Sequence, residues 1–346
     1  MPKEINIATN NGDIGGGEVM LFNIARALRS LGHEVTIVGP ASPSEVVEAA
    51  ADEGFDVVCL PATTRKQYMA HLRIWDQRSR KGLLWCNGLV PAFATAGHQN
   101  RIVHLHQVPQ GMSRWLVKPA QRNALVTLIP SDFGSQVVKK TRSFHNWVDE
   151  ITGQLGKSKV SSPVKIGFIG RPSVIKGTDI LANAIYHLNR ESNFHFQLIV
   201  AGESDFIDAA ERNVVSKALT SLGADCSQIG KTNPAKFYEI VDIIVVPSVW
   251  DEVFGLVAAE AMSGRKPLLV SDAGALPEVV GKDYPWIFER NNVHSLAEKI
   301  LEVTDQLEND PAETEKIINS SYWRWQEEFS PEAGKAHLRE LLLEIL

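Results

Sequence analysis

Two stretches of the sequence carry residue types that could do chemistry together. In "FIGRPSVIKG", residues 168–177, an apolar strand runs into Gly170 and Arg171, and Lys176 and Gly177 follow at the start of a helical pattern. A glycine turn ahead of a helix offers unpaired backbone N–H groups and the positive end of the helix dipole, which together make an anion site. Arg171 and Lys176 beside it point to phosphate. A charged hydrogen bond of this kind contributes on the order of 1.5–3 kcal/mol, so two of them and the helix end could hold a diphosphate without metal. The second stretch is "SVWDEVFGLVAAEAMSGRKP", with Glu252 and Glu260 either side of Gly255. A helix starting near Gly255 puts Glu252 in the loop before it and Glu260 inside it, both beside the amides of Phe254, Gly255, Leu256 and Val257. An ionised carboxylate accepts from two hydroxyls at once, which suits a ribose or a hexose. Taken singly, each of these side chains could equally be a solvated residue on an ordinary turn or crossover helix.

The elements that must position them are short apolar runs alternating with amphipathic helical patterns. "INIAT", "EVTIVG", "DVVCL", "RIVHLH" and "LVTLIP" mark the first half; "VKIGFIG", "FQLIVAG", "DIIVVPS" and "PLLVSD" mark the second. Such runs read as buried parallel strands, so both halves are α/β. After the first run, Val19, Leu21, Phe22, Ile24, Ala25 and Leu28 are expected on one face of a crossover helix that stops at Gly32. The 346 residues, with 44% hydrophobic and 22% charged, are enough for two cores. Expected boundaries are 1–155, 160–325 and a helical tail at 326–346, with residues 151–165, rich in Gly, Ser and Lys, as the linker.

Composition narrows the function classes. Cys59, Cys86 and Cys226 have neither C-x-x-C nor zinc-ligand spacing, so a reducing, cytoplasmic setting is expected. No run of about 18 apolar residues appears and the N-terminus lacks a signal-peptide layout. "NNGDIGGGE" lacks the last glycine of a dinucleotide fingerprint, and the strand ending "TIVGP" has no acidic residue for a ribose, which argues against a nicotinamide-dependent dehydrogenase.

The order "GGGE", "GRPSVIKG", "VVPSVWDEVFGLVAAEAM" and "SDAGALPEVVG" resembles the retaining glycosyltransferases of family 4, which have the GT-B fold. The resemblance runs over nearly the whole chain and implies two Rossmann-like domains facing each other across a cleft. The N-terminal one receives the acceptor and the C-terminal one binds a nucleotide-diphosphate sugar. Carried over position by position, it assigns Arg171 and Lys176 to the donor diphosphate, Glu260 to the ribose hydroxyls and Glu252 to the donor sugar. It also places Phe254 to Val257 as a backbone cradle, and Gly15 and Gly16 where the backbone approaches the phosphates. His106 matches a strand-end histidine near the donor sugar, with His104, two residues away on the same face, as its rival. No D-x-D tripeptide is present, so the implied enzyme is a metal-independent hexosyltransferase without cofactor, acting on a saccharide or lipid-linked acceptor and not on nucleic acid. A GT-B sugar-nucleotide epimerase and a non-catalytic nucleotide-sugar-binding protein are the alternatives.

Two positions depart from the family's pattern: Val253 stands for a usual proline, and Trp147 in "HNWVD" stands for a usual glycine, which leaves the backbone near residues 146–149 in question. Charge is also uneven, with residues 1–160 net +5 and the remainder net −11. The basic half, and Trp115 and Leu116 among Arg114, Lys118 and Arg122, lead to the expectation of a peripheral contact with the inner face of a membrane.

Overall fold

The computed structural model describes residues 4–152, 162–203 and 208–345. The chain divides into two compact units, Met1–Trp147 with Pro331–Leu346, and Val148–Ser330. The division lies ahead of the expected linker, much of which falls outside the described residues, and the chain re-enters the first unit at Pro331, five residues later than the expected start of the tail.

The first unit is built on strands β1 (Glu4–Ala8), β2 (Glu34–Pro40), β3 (Asp56–Leu60), β4 (Leu83–Asn87), β5 (Arg101–His104), β6 (Val126–Ile129) and β7 (Arg142–Ser143). They form one sheet in the order β3-β2-β1-β4-β5-β6-β7, every pair parallel. Its helices are α1 (Gly16–Ser30), α2 (Glu45–Asp52), α3 (Arg65–Arg78), α4 (Leu89–Ala94), α5 (Arg114–Ala120) and α6 (Asp132–Val137). The second unit holds β8 (Val164–Ile169), β9 (Phe196–Ala201), β10 (Cys226–Gly230), β11 (Ile243–Val246), β12 (Leu268–Ser271) and β13 (Ile287–Phe288), again parallel, in the order β10-β9-β8-β11-β12-β13. Between and after them run α7 (Thr178–Glu191), α8 (Ala209–Ser221), α9 (Pro234–Ile240), α10 (Leu256–Ser263), α11 (Leu276–Val280), α12 (Val293–Asn309) and α13 (Pro311–Glu328). A last helix, α14 (Pro331–Ile345), belongs to the first unit.

Strands covered on both faces must be apolar along their length, and β4 and β11 are buried at every position. On α1 the buried apolar side chains are Met20, Leu21, Phe22, Ile24, Ala25, Ala27 and Leu28, while Val19 is exposed. Val19 was expected on the inner face. Two residues before Leu21, it lies about 200° around the helix and so faces out. The tail joins the same core: Leu338, Leu341 and Leu342 of α14 pack with Ile24, Trp85, Phe144 and Trp147.

Trp147 finds its place through a glycine elsewhere. Its ring is buried against Gly334 of α14, where an added Cβ would meet ring atoms at 2.1 and 2.4 Å, and its carbonyl accepts from Asn23 Nδ2 at 2.9 Å. The bulk gained at 147 is therefore accommodated by the missing side chain at 334.

Candidate active site

In an open parallel sheet, ligands bind beyond the carboxyl ends of the strands where the strand order reverses. In the second unit that point lies between β8 and β11, and the loops leaving these strands carry Arg171, Lys176 and Glu252. The two loops are fastened together. Val249 and Trp250 N–H groups donate to Ile175 O at 3.0 and 3.2 Å, and Gly177, with φ +67°, leaves no room for a Cβ, which would sit 1.9 Å from Pro247 O. Glu211 Oε1, from the first turn of α8, accepts from Val174 N–H at 2.9 Å and steadies the loop from the other side.

Lys176 Nζ and Glu252 Oε1 meet at 2.5 Å, and Ser248 Oγ donates to the same oxygen at 2.6 Å. The cation and carboxylate separated by 76 residues thus form one half-buried cluster. Glu252 is held by its backbone as well: its carbonyl accepts from Ala275 N–H at 2.8 Å, and it bridges to Gly274, where a Cβ would meet Glu252 O at 2.4 Å. Arg171 is exposed at the mouth of the same β8–α7 loop, and its guanidinium has no partner among the described residues.

Gly255 takes φ +98°, with Leu276 Cδ2 2.5 Å from where a Cβ would be, and α10 begins at Leu256. Of the expected backbone cradle, Phe254 is buried with its ring edge-on to Phe329, while Leu256 and Val257 are half-buried in the first turn. Val253, at the departure from the family's proline, is buried. Burial raises Glu260 to about pH 7, an effect the Tyr238 hydroxyl opposes by hydrogen bonding. Asp179 stands in the first turn of α7, an acid beside this helix end, and burial raises its carboxyl above the usual range.

In the first unit the order reverses between β1 and β4. Gly15 caps α1, Gly16 is its first residue, and both are exposed. Glu18 turns back onto this loop, accepting from Gly15 N–H at 3.3 Å and standing 3.4 Å from Thr9 Oγ1, and burial lifts its carboxyl to about pH 7. Tight approach belongs to Gly17, where a Cβ would lie 3.3 Å from His106 Cδ2; at Gly15 the nearest contact would be an ordinary 3.5 Å. His104 ends β5 fully buried, with neither ring nitrogen hydrogen-bonded among the described residues. His106 lies just beyond, half-buried, with ring centroids 4.1 Å apart. Burial lowers both, His106 to about 4, so both rings are neutral.

A family profile described as "Glycosyl transferase 4-like domain" matches residues 15–151, and one described as "Glycosyl transferases group 1" matches residues 163–306. The chain belongs to the group 1 glycosyltransferases. Among curated relatives of this group 1 glycosyltransferase is the lipopolysaccharide 1,2-N-acetylglucosaminetransferase of Salmonella typhimurium, 30% identical over 164 residues, 45% of this chain and 41% of that protein. The match spans less than half of that relative's length. Solved structures align over almost everything: Anabaena HepE in complex with UDP has a TM-score of 0.80 at 18% identity, covering 99% of this chain and 100% of that one. Sucrose-phosphate synthase from Thermosynechococcus elongatus reaches 0.79 at 17%, covering 99% of each. The fold is therefore that of the GT-B glycosyltransferases, two Rossmann-like α/β domains.

Several residues around these positions escaped the sequence reading. Glu18 and Ser248 lie inside the "GGGE" and "VVPSVWDE" motifs without a role assigned to them, and Tyr238 and Asn87 lie outside every motif, although Asn87 ends an apolar run, "LLWCN", that is itself a strand, β4. An asparagine at the carboxyl end of such a run was the available signal. Among the described residues, no group of three or more His, Cys, Asp or Glu is arranged to hold a metal, and no helix is long and apolar enough to cross a membrane.

Proposed function

We propose that this chain moves a hexose-type sugar from a nucleotide-diphosphate sugar to a saccharide or lipid-linked acceptor, with retention and without metal. The observation that carries this reading is the Lys176–Glu252–Ser248 cluster at the strand-order reversal of the second unit, with Arg171 on the same β8–α7 loop as Lys176 and α10 opening four residues after Glu252. Lys176 and Arg171 take the donor diphosphate. Lys176 exchanges Glu252 for a phosphate oxygen, and the freed carboxylate accepts from a sugar hydroxyl, while Glu260 accepts from the ribose hydroxyls. As the C1–O(phosphate) bond breaks, negative charge collects on the leaving diphosphate, where fixed cations and amide dipoles stabilise it most. The C1–O(acceptor) bond forms on the same face of the sugar, and the acceptor proton passes to the released phosphate oxygen, so no separate general base is needed.

Anabaena HepE, which shares the fold, has been solved with UDP-glucose, which makes that compound the first donor to test. Incubation should release UDP, faster with acceptor than by hydrolysis; Lys176→Ala and Arg171→Ala should remove most of this while leaving the unfolding transition in place. Near-normal turnover in either variant, with whichever donor proves active, contradicts the assignment. NMR of the product should show the donor's anomeric configuration, and EDTA should leave the rate unchanged.

The acceptor side supports a membrane contact. Met112 and Trp115 are 88% and 81% exposed, with Leu116 beside them and Arg114, Lys118 and Arg122 around them. Arg101, fully buried, fixes the far end of α5 by donating to Ala120 O and Arg122 O at 3.2 and 2.6 Å. Binding to the cytoplasmic leaflet should appear in liposome co-sedimentation as a dependence on anionic lipid. Binding indifferent to lipid charge, or none, removes this part of the reading.

A further inference from the structure

His106 is one of the residues that the family resemblance assigns to the site, and its ring is held by a side chain to which no motif pointed. Asn87 is the last residue of β4, fully buried, and in register with His104 on β5. Its amide spans two segments. Nδ2 donates to Gly17 O at 3.0 Å, and Oδ1 lies 2.7 Å from His106 Nε2. The next residues lock the turn: Gly88 has φ +122° with Asn10 packed where a Cβ would be, and Asn10 Oδ1 accepts from Val90 N–H at 3.1 Å.

Donor and acceptor logic then settles a proton position. Gly17 O can only accept, so the amide nitrogen must face it, because the reversed amide would set two acceptors against each other. The amide oxygen consequently faces the imidazole, and since it too can only accept, Nε2 must carry the hydrogen. In a neutral ring the lone pair is left on Nδ1, which is buried without a hydrogen-bond partner among the described residues. His104, tilted against it at 45° with ring centroids 4.1 Å apart and both nitrogens unpaired among the described residues, offers no counter-charge to an imidazolium.

We propose that Asn87 is a positioning residue, which ties the glycine loop at Gly17 to His106 and holds that ring as the Nε2–H tautomer with an accepting Nδ1. The importance of His106 to catalysis rests on the glycosyl-transfer reading; the tautomer does not.

The test therefore uses the ligand-free full chain, labelled with 15N-histidine, at neutral pH. Long-range 1H–15N correlation, with His106 assigned by the signals lost in His106→Gln, should show Nδ1 as the unprotonated, pyridine-type nitrogen and Nε2 as the protonated one. Asn87→Leu should shift both His106 nitrogens towards the average of mixed tautomers. Asn87→Asp, whose carboxylate still accepts from Nε2–H but adds a counter-charge beside the ring, should keep Nε2 protonated and let Nδ1 gain its proton at a higher pH than in the wild type. A protonated Nδ1 in the wild type, or an unchanged pattern in a folded Asn87→Leu, overturns the proposal. If Asn87→Leu does not fold, the wild-type and Asn87→Asp spectra still decide. Failure of transfer activity with this tautomer intact would count against the enzymatic reading and not against this one.

Discussion

At the scale of single residues, two carboxyl groups are held near pH 7 by burial, and the direction of each effect is testable. Glu260 is proposed to accept from ribose hydroxyls, which only the ionised form does with both oxygens. Nucleotide binding should then lower its pKa and release a proton at pH 6.5–7, seen in calorimetry as a binding enthalpy that varies with the buffer's ionisation enthalpy. Glu260→Gln should weaken binding and abolish that variation; unchanged UDP affinity would mean the glutamate plays no part. Glu18 titrates at about 7 folded against 4.5 for an unperturbed glutamate. The folded protein thus holds this proton more firmly, so its stability contribution is full below 4.5 and is lost as pH rises towards 7. The slope is at most about 1.4 kcal/mol per pH unit. Denaturant unfolding of Glu18→Gln should show a shallower decline from pH 5 to 7 than the wild type.

At the scale of elements, Gly177 at the start of α7 and Gly230 at the end of β10 are glycines for different reasons. Gly177 and Gly230 have nearly the same φ, +67° and +66°, but Gly177 faces Pro247 O while nothing lies within 4 Å of Gly230. Gly230→Ala should cost about 1 kcal/mol, from backbone strain alone. Gly177→Ala should cost about 2–4 kcal/mol, because strain and a steric clash coincide there. It should also part Ile175 O from the Val249 and Trp250 amides, and with them Lys176 from Glu252. Equal losses of stability in the two variants would show that the loop-to-loop approach does not constrain the site.

At the scale of the whole molecule, the first unit is closed by the end of the chain. Leu341 and Leu342 of α14 are buried in the same core as Ile24 and Trp85. Leu341→Ala should destabilise by about 2–5 kcal/mol. The loss should appear in the unfolding of the first unit, with the transition of the second, Val148–Ser330, left where it was. A uniform shift of both transitions would mean that the units do not unfold separately. Gly334 enters here too, since any larger residue would displace Trp147 and α14 together.

How much was legible beforehand follows from what each signal depends on. Buried parallel strands announce themselves as runs such as "DIIVV", and a turn that needs φ above zero leaves a glycine such as Gly177 or Gly255, so the α/β class and the loops bearing Arg171, Lys176 and Glu252 could be read from local pattern. Partnerships could not. That Lys176 meets Glu252, that Trp147 is accommodated by Gly334, that Val19 faces out, and that Asn87 spans Gly17 and His106 all depend on which strands lie side by side. Strand adjacency is set by long-range packing of the sheet, to which no stretch of neighbouring residues refers.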